Sequence, residues 1–306
     1  MIYLAFSVMC LIFGTTFLAI KWGIDAGLTP FFGGGFRFFL AGLILFGFMV
    51  WRRKAPLALL LRKEMMLTGL GLTFGTFATL YWAEQYISSG IAAVLSATGP
   101  IMILLLQTIF LRQRTRITAV AGCLIGFAGV ALLLLPGITV HTSRFWILAS
   151  VTILIGEIFY AGGALYSKHV MPRFQGISPI ALNAAQMMYG GGGLLVMSFF
   201  TEDVHLHSLL EPQAIYSLLY LIVIGSMVAH SIFYWLVART TPLFPSTWLY
   251  ISPVIALLLG MLLYHEPVSW NTLAGVLVII SGLILINAPA LRQLFGRKIS
   301  FNESGS

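Results

Sequence analysis

The sequence has very few charged residues: Asp, Glu, Lys and Arg make up 8% of its 306 residues, while 59% are hydrophobic. Soluble domains carry about 25% charged residues, so this composition excludes an ordinary water-soluble protein. Only two cysteines occur, Cys10 and Cys123, both within apolar stretches, which excludes a disulfide framework. No ATP-binding motif is present: the glycines at 33–35 follow no strand and precede no Gly-Lys-Ser/Thr.

The sequence contains long apolar stretches from one end to the other. A helix needs about 20 apolar residues to cross a hydrocarbon core of roughly 30 Å. Ten such stretches occur, at residues 2–22, 31–51, 66–86, 90–110, 117–136, 145–167, 177–199, 213–236, 243–263 and 270–290. The sequence therefore predicts an all-α, multi-pass protein of the cell membrane with ten transmembrane helices.

The net charge of +8 would suggest nucleic-acid binding in a soluble protein, so the positions of the basic residues matter. If the N-terminus is cytoplasmic, fourteen Lys and Arg residues fall on the cytoplasmic side. Only Lys21 and Arg144 lie on the opposite side, and Arg37 lies inside a helix. This positive-inside asymmetry predicts that both termini are cytoplasmic, that the partners of the chain include membrane lipids, and that it binds no nucleic acid.

The sequence also contains an internal repeat. A shift of 153 residues superposes the following pairs: Tyr81-Trp82 on Tyr234-Trp235, Pro100 on Pro253, Gly122 on Gly275 and Gly129 on Gly282. Nearer the start of each half, Lys21 matches Lys168 and Pro30 matches Pro179. We predict repeat 1 over residues 1–138, repeat 2 over 139–292 and a cytoplasmic tail over 293–306. Each half has five predicted helices. Because five is an odd number, the second half starts on the opposite side of the membrane, and we predict that the two halves insert in opposite orientations.

Inverted repeats place a pseudo-two-fold axis in the membrane plane, and alternation between two mirror-related arrangements opens a central site to each side in turn. This architecture predicts a secondary transporter for small molecules. The alternative is a duplication retained for stability alone.

The repeat unit contains an ordered set of short motifs: Gly14-Thr15-Thr16-Phe17 followed by Lys21, Arg37-Phe38 after Pro30, Ala92-Ala93 to Pro100, Ser246 to Pro253, and Glu266 followed by Gly275 and Gly282. With these motifs the chain resembles the drug/metabolite transporter superfamily, specifically its ten-helix branch with two EamA domains. Two positions depart from the pattern: Phe13 replaces the usual Trp, and Gln113 stands in the first half where Glu266 stands in the second.

The resemblance implies transport across the cytoplasmic membrane, with export of amino acids or related metabolites favoured. Proton-coupled efflux of cationic or toxic compounds and import of a nutrient stay open. The small multidrug resistance proteins of the same superfamily carry an intramembrane Glu three residues before the Gly of helix 1, where this chain has Leu11.

Glu157 is the most informative single residue, because it lies near the middle of the sixth predicted helix, where an unpaired carboxylate is expensive. The repeat offset aligns Glu157 with Leu11 or Cys10 of the first half. Glu157 therefore lies close to the position of the Glu of the small multidrug resistance proteins, but in the second half. It could exchange a proton or bind the amine of a substrate. The alternative is a protonated carboxyl group that hydrogen-bonds a neighbouring helix.

His230 lies within the eighth predicted helix, with Ser226 and Tyr234 four residues to either side and hence on the same face. This polar stripe could line a cavity or could bond to a neighbouring helix. If the sixth and eighth helices face each other, His230 could pair with Glu157, and such a pair is the basis of the rival hypothesis, an intramembrane enzyme.

Aromatic and hydroxyl side chains complete the predicted site. The candidates for an aromatic-lined cavity or for polar contacts near the helix prolines are Tyr81, Tyr160, Tyr234, Trp248, Ser96 and Ser252. Several aromatic residues could instead be anchors at the membrane interface.

Other residues are predicted to serve gating or structure. Arg37 is two turns into its helix and needs a partner or a route to water, so gating or topology is favoured over ligand contact. Lys21 and Lys168 are equivalent in the repeat and are candidates for two gates. Pro100 and Pro253 free backbone carbonyls near mid-membrane. We expect a small-molecule substrate, with protons as a second candidate partner, no cofactor or metal, and a monomer or homodimer.

Overall fold

In a computed structural model of the chain, the described residues are 1–134, 143–204, 210–252, 254–255, 270, 274–286 and 288. Within these ranges the secondary structure is entirely helical, which confirms the predicted all-α class. The helices are α1 (Ile2–Asp25), α2 (Pro30–Trp51), α3 (63–83), α4 (Ser89–Ser96), α5 (Gly99–Ile109), α6 (Ile117–Leu134), α7 (Arg144–Val170), α8 (Pro179–Thr201), α9 (Pro212–Arg239), α10 (Leu243–Ser246) and α11 (Ala274–Ile286). Short 3₁₀ turns occupy Leu57–Leu61 and Met171–Phe174.

Five helices of the described residues are long and apolar enough to cross a membrane: Ile2–Asp25, Pro30–Trp51, Ile91–Ile109, Arg144–Phe174 and Pro212–Arg239. Eight of the ten predicted stretches coincide with α1 to α9, with the fourth stretch shared by α4 and α5. The last two stretches are described only in part. Pro253, Glu266 and the tail at 293–306 lie outside the described residues.

The fourth predicted stretch contains the single membrane-length span Ile91–Ile109, but a turn at Ala97 and Thr98 divides it into α4 and α5. Helix α4 ends at Ser96 and α5 begins at Gly99. The proline ring of Pro100 has no N–H to donate and clashes with the carbonyl four residues earlier, which belongs to Ser96. The helix therefore breaks at the level where Ser96 meets α7.

Helices α3 and α9 each contain a π-helical segment. In α3 it spans Leu70–Gly75, between α-helical Lys63–Gly69 and Thr76–Ala83. In α9 it spans Leu221–Ala229, ahead of His230. Such segments are rare and often mark functional sites. Past this segment His230 and Tyr234 both line the central cavity, and Ser226 within it accepts a hydrogen bond from Arg37, which also lines the cavity.

The starts of α2 and α8 are built alike. Gly27 and Gly176 adopt φ of 90° and 84°, a left-handed conformation that glycine enters without steric cost. Each helix then begins with a proline, Pro30 or Pro179, whose fixed φ suits the first helical position. The same turn therefore reverses the chain after α1 and after α7.

Helices α2 and α8 cross in close backbone contact at small residues. A Cβ built on Gly42 would lie 2.8 Å from the carbonyl oxygen of Ala184, and one on Gly35 would lie 3.1 Å from that of Gly191. Helices α6 and α11 cross in the same manner, where a Cβ on Gly122 would lie 2.8 Å from the carbonyl oxygen of Gly282. The glycines at these crossings therefore allow the helix backbones to approach closely.

Gly191→Ala is expected to destabilise the protein, because the added Cβ would overlap the backbone of Phe39. Overpacking of this kind costs about 1–3 kcal/mol. The matched control is Gly192→Ala, whose Cβ would meet only ring carbons of Phe39 at 3.7 Å and 3.9 Å. Thermal unfolding in detergent should give a lower Tm for the first variant alone, and equal Tm values would contradict the packing role.

Candidate functional site

A cavity lies at the centre of the bundle, lined by residues of α1, α2, α3, α4, α7, α8 and α9 and by Trp248 and Leu249. Its volume is about 50 Å³, measured as the space open to the centres of water molecules, and it can hold several waters. The predicted residues that line it are Glu157, His230, Tyr234, Tyr160, Trp248, Ser96 and Arg37. Tyr81 lies behind Arg37, and Ser252 is buried but does not line the cavity.

Glu157 lies midway along α7 and is 4% exposed. Ser96 is its hydrogen-bonding neighbour, placed there by the break between α4 and α5. Its Oε2 atom has no hydrogen-bond partner in the described part of the chain and faces Gly99, where an added Cβ would lie 2.5 Å from it. A glycine at this position gives the carboxyl group its space.

His230 is held among aromatic rings rather than by acids. Its ring centroid lies 5.0 Å from that of Phe13, 5.3 Å from Phe38 and 5.7 Å from Phe77, all edge-on. Its Nε2 has no hydrogen-bond partner among the described residues. His230 and Glu157 therefore share the cavity without the hydrogen bond that the sequence allowed.

Arg37 lies in the cavity wall, a position that the sequence did not indicate. It is 1% exposed. Its Nε donates to Ser226 Oγ at 2.8 Å and its Nη1 to Tyr81 Oη at 3.3 Å. The guanidinium carbon also lies 4.5 Å from the ring centroid of Phe38, a cation–π arrangement. Arg37 therefore lines the cavity, whereas the sequence favoured gating or topology over ligand contact.

Polar atoms without partners are concentrated at this cavity. Among the described residues they include Glu157 Oε2 and His230 Nε2, both on residues that line it. Tyr160 Oη and Trp248 Nε1 also lie at the cavity, where these two side chains are neighbours of each other. A buried polar group without a hydrogen bond costs about 1–3 kcal/mol. Such a cluster is what a site for a polar ligand or ordered water requires.

Several lining residues were missed by the sequence reasoning. Phe13, Phe17, Phe77 and Gln186 line the cavity. Gln186 could have been found as a polar residue inside an apolar helix. The phenylalanines carry no such signal, because an apolar side chain suits lipid, a packed core and a ligand cavity equally.

Glu84 was also missed. It follows the last residue of α3, is 0% exposed, and neither carboxylate oxygen has a hydrogen-bond partner in the described ranges. An acid inside the predicted stretch 66–86 was the available signal. It does not line the central cavity.

The two lysines make equivalent contacts at opposite ends of the bundle. Lys21 Nζ, at the end of α1, donates to the carbonyl oxygen of Glu84 at 3.2 Å. Lys168 Nζ, at the end of α7, donates to those of Val237 and Ala238 at 2.8 and 3.0 Å. A cation at the C-terminal end of a helix satisfies free carbonyls and the helix dipole. Lys21 therefore joins α1 to the end of α3, and Lys168 joins α7 to α9.

A second cleft, about 630 Å³ and open to the surface, lies at the Lys21 end of the bundle between α3, α7 and α8. Glu202 lines this cleft and has a structural role. Its two carboxylate oxygens accept hydrogen bonds from the backbone N–H groups of Phe31 and Phe32 at 2.8 and 2.9 Å. They thereby cap the start of α2. Asp203 beside it is exposed.

Gly99→Ala should perturb the site without disturbing the bundle elsewhere, because its Cβ would displace the Glu157 carboxyl group and Leu249. We expect substrate affinity to fall roughly fivefold, the effect of about 1 kcal/mol of strain. Gly162→Ala in α7 is the control, since nothing lies within 4 Å of its added Cβ. Ligand binding to the purified variants measures the difference, and equal affinities would show that Gly99 does not shape the site.

An all-helical bundle with a mainly apolar central cavity that carries a few polar side chains is the architecture of a membrane transporter. A family model, the EamA-like transporter family, matches residues 1–135 and 147–288. The chain therefore belongs to this family, within the drug/metabolite transporter superfamily, and is a multi-pass protein of the cell membrane.

Relatives with similar sequences are transporters whose names state no substrate. The "Uncharacterized inner membrane transporter YedA" of Escherichia coli (strain K12) is 28% identical over 284 residues, which cover 92% of this chain and 89% of that protein. The "Uncharacterized transporter YoaV" of Bacillus subtilis (strain 168) is 26% identical and covers 90% and 92%. A crystal structure with 17% identity aligns with a TM-score of 0.75 over 95% of this chain and 97% of the other, which shows the shared fold.

Proposed function

We propose that the protein is a secondary transporter that moves small metabolites, amino acids or related compounds, out of the cell by alternating access. The observation that carries this proposal is the central cavity, with unpartnered polar atoms on its walls and a lysine contact at either end of the bundle. We propose further that the chain comprises ten transmembrane helices in two inverted halves, residues 1–138 and 139–292, with cytoplasmic termini.

The helix crossings support the inverted halves. Under the offset of 149 that relates Pro30 to Pro179, Gly35 corresponds to Ala184 and Gly42 to Gly191. Gly35 meets Gly191 and Gly42 meets Ala184, so each residue contacts the counterpart of the other. That exchange is the signature of a two-fold axis.

The crossing of α6 and α11 repeats the exchange. Under the offset of 153, Gly122 corresponds to Gly275 and Gly129 to Gly282. Gly122 meets the carbonyl oxygen of Gly282 at 2.8 Å from its added Cβ, and Gly129 meets that of Gly275 at 3.0 Å. The same offset places the π-helical segment of α3 on that of α9, which gives each half one irregular helix beside the cavity.

The lysine contacts support two gates. Under the offset of 153, Glu84 corresponds to Val237, so Lys21 and Lys168 hold equivalent carbonyl oxygens at opposite ends of the bundle. We propose that these two contacts act as the gates of the cavity, one at each end of the bundle. Breaking one contact at a time would open the cavity first to one side and then to the other.

Efflux of cationic compounds is the second candidate, favoured by a specific observation. Glu157 lies beside Tyr160 and Trp248 in the cavity, and a carboxylate with aromatic faces suits a cation. The enzyme alternative has less support, because Glu157 and His230 lack the hydrogen bond of an acid–base pair in the described structure. The proposed partners are the solute, protons and membrane lipids, with the chain as a monomer or homodimer.

The test is reconstitution of the purified protein into proteoliposomes, with uptake and efflux of a panel of amino acids and organic cations measured with and without a pH gradient. We expect saturable movement of one class of solute. If no solute moves faster than in protein-free liposomes under any gradient, the transport proposal is wrong.

A further inference from the structure

The Lys21 end of the bundle contains a buried carboxyl group that the proposed function does not use. Glu84 follows the last residue of α3 and is 0% exposed. Neither of its carboxylate oxygens has a hydrogen-bond partner in the described part of the chain, and Glu84 takes part in neither of the ion pairs found there. An ionised carboxylate accepts hydrogen bonds at both oxygens, so this burial requires an explanation.

Glu84 is also part of the proposed gate. Its backbone carbonyl oxygen accepts the hydrogen bond from Lys21 Nζ at 3.2 Å. The same ammonium group pairs with Asp25 at 3.0 Å. The gate contact and the buried carboxyl group therefore belong to one residue, and breaking the contact would admit water beside that group.

Three charged groups on two helices lie near the Glu84 carboxyl group. Lys21 and Asp25 of α1 and Arg37 of α2 are in electrostatic contact with it. Tyr81, one turn earlier on α3, is in electrostatic contact with both Arg37 and Glu84, and its Oη accepts a hydrogen bond from Arg37 Nη1 at 3.3 Å. The two cations attract a carboxylate at this place, whereas Asp25 repels it.

Burial decides which form of the Glu84 carboxyl group this arrangement favours. A carboxylate that is buried without hydrogen bonds loses its solvation, a cost that charges at a longer distance do not offset. With the gate contact made, the neutral carboxyl group is therefore favoured. When the gate opens, water solvates the group, and Lys21 and Arg37 then favour its ionised form.

The second half repeats the backbone contact without the acid. Under the offset of 153, Glu84 corresponds to Val237, whose carbonyl oxygen accepts a hydrogen bond from Lys168 at 2.8 Å. An apolar side chain therefore suffices where the equivalent contact is made. The contact by itself does not explain a carboxyl group at position 84, and only the Lys21 gate carries one.

We propose that Glu84 is a proton-binding site of the Lys21 gate, which takes up a proton from the solvent as the gate closes and releases it as the gate opens. This rests on the gates and the orientation proposed above, under which the Lys21 end faces the outside. One linked proton changes the ratio of open to closed states by up to about tenfold per pH unit. A low external pH therefore keeps this gate closed.

The test measures access to the cavity from outside, in the absence of any solute. The parent chain carries Thr16→Cys in the cavity wall, with Cys10 and Cys123 replaced by Ala. Right-side-out vesicles receive a membrane-impermeant maleimide at a series of external pH values. Because thiol reactivity itself depends on pH, each rate is divided by that of the same chain unfolded in detergent. We expect the normalised rate to rise at least about fivefold between about pH 6 and about pH 8.

Glu84→Gln identifies the group behind this pH dependence. Glutamine keeps the size and the neutral charge of the protonated side chain but cannot release a proton, so the rate should stay at the low-pH value of the parent chain. Glu84→Asp keeps a titratable group and should keep the pH dependence. Asp25→Asn is the matched control, because it removes the other acid of the gate, whose side chain is 51% exposed, and it should also keep the pH dependence.

Thermal unfolding reports whether these variants fold. If Glu84→Gln does not fold, infrared difference spectra of the parent chain and of Glu84→Asp between the same pH values replace it. The carbonyl stretch of a protonated carboxyl group disappears on ionisation, and this band should shift between the two chains. A band that does not shift would show that another group takes up the proton.

The outcomes separate this inference from the transport proposal. A parent chain whose labelling does not depend on pH, or a Glu84→Gln chain that follows pH as the parent does, would overturn the proton site. If labelling depends on Glu84 but no solute moves in proteoliposomes, the transport proposal is wrong and the proton site stands. If a solute moves and labelling is indifferent to Glu84, transport stands and the proton site is wrong.

Discussion

Glu157→Gln is expected to abolish transport that is driven by a pH gradient. Glutamine keeps the size of the side chain but can neither release a proton nor carry the negative charge that attracts an ammonium group. Glu157 lies in the cavity wall, with an unpartnered Oε2, so its chemistry is available to a solute or a proton. Flux in proteoliposomes, with the pH inside and outside set independently, measures the loss.

Glu64→Gln is the matched control for this change. Glu64 lies at the start of α3, outside the cavity, and pairs with Arg173 at 3.6 Å. Its partner is largely exposed, so the ion pair contributes little, about 0–1 kcal/mol. We expect near wild-type flux. Wild-type flux in Glu157→Gln, from a protein with unchanged Tm, would leave Glu157 as a buried carboxyl group that hydrogen-bonds a neighbouring helix.

Removal of the lysine contacts is expected to open the cavity to one side at a time. Each contact is a charge-assisted hydrogen bond of about 1.5–3 kcal/mol. Its loss in Lys21→Met or Lys168→Met should change the ratio of open to closed states by at least about fivefold. Methionine keeps an unbranched apolar side chain and removes the ammonium donor. We expect Lys21→Met to favour the outward-open state and Lys168→Met the inward-open state.

Thiol labelling of the cavity reads out these two states. Thr16 lines the cavity, and its hydroxyl bonds only within α1, to the carbonyl oxygen of Phe13. Thr16→Cys is therefore a mild reporter in a chain whose Cys10 and Cys123 are replaced by Ala. A membrane-impermeant maleimide is applied to right-side-out and to inverted vesicles. Labelling should rise from outside in the Lys21→Met chain and from inside in the Lys168→Met chain.

Asp25→Asn separates the lysine contact from local charge. It removes the ion pair that Lys21 makes four residues along α1, with an N–O distance of 3.0 Å, but keeps the lysine itself. Its labelling should resemble that of the parent chain. Two lysine variants that label equally from both sides, or that both open toward the same side, would contradict the paired gates.

The helices and the most prominent polar residues could be predicted from the sequence, for a physical reason. Lipid demands apolar helices that satisfy their own backbone, so each span carries its own signal. In the same environment a carboxyl or imidazole is expensive, which singled out Glu157 and His230. The cavity contains both. Gln186 obeys the same rule and could have been found with it.

Arg37 shows where such reasoning stops. The sequence showed a buried cation but not which neighbours it met, and a gating role was favoured. Its place in the cavity depends on how α2 is rotated against α9, which supplies Ser226, and against α3, which supplies Tyr81. That rotation is set by the glycine contacts of α2 with α8, between residues more than a hundred positions apart in the chain.

The sequence by itself determined the membrane location, the helical class, the family and the repeat, because these follow from the order of apolar, basic and small residues along the chain. The tertiary structure alone decided which side chains share the central cavity, that Glu157 and His230 do not pair, and that Lys21 and Lys168 hold equivalent carbonyls. The physical reason is that a cavity belongs to no single helix. Its walls come from seven of the helices, and the break at Pro100 and the π-helical turns before His230 change which side chains face it.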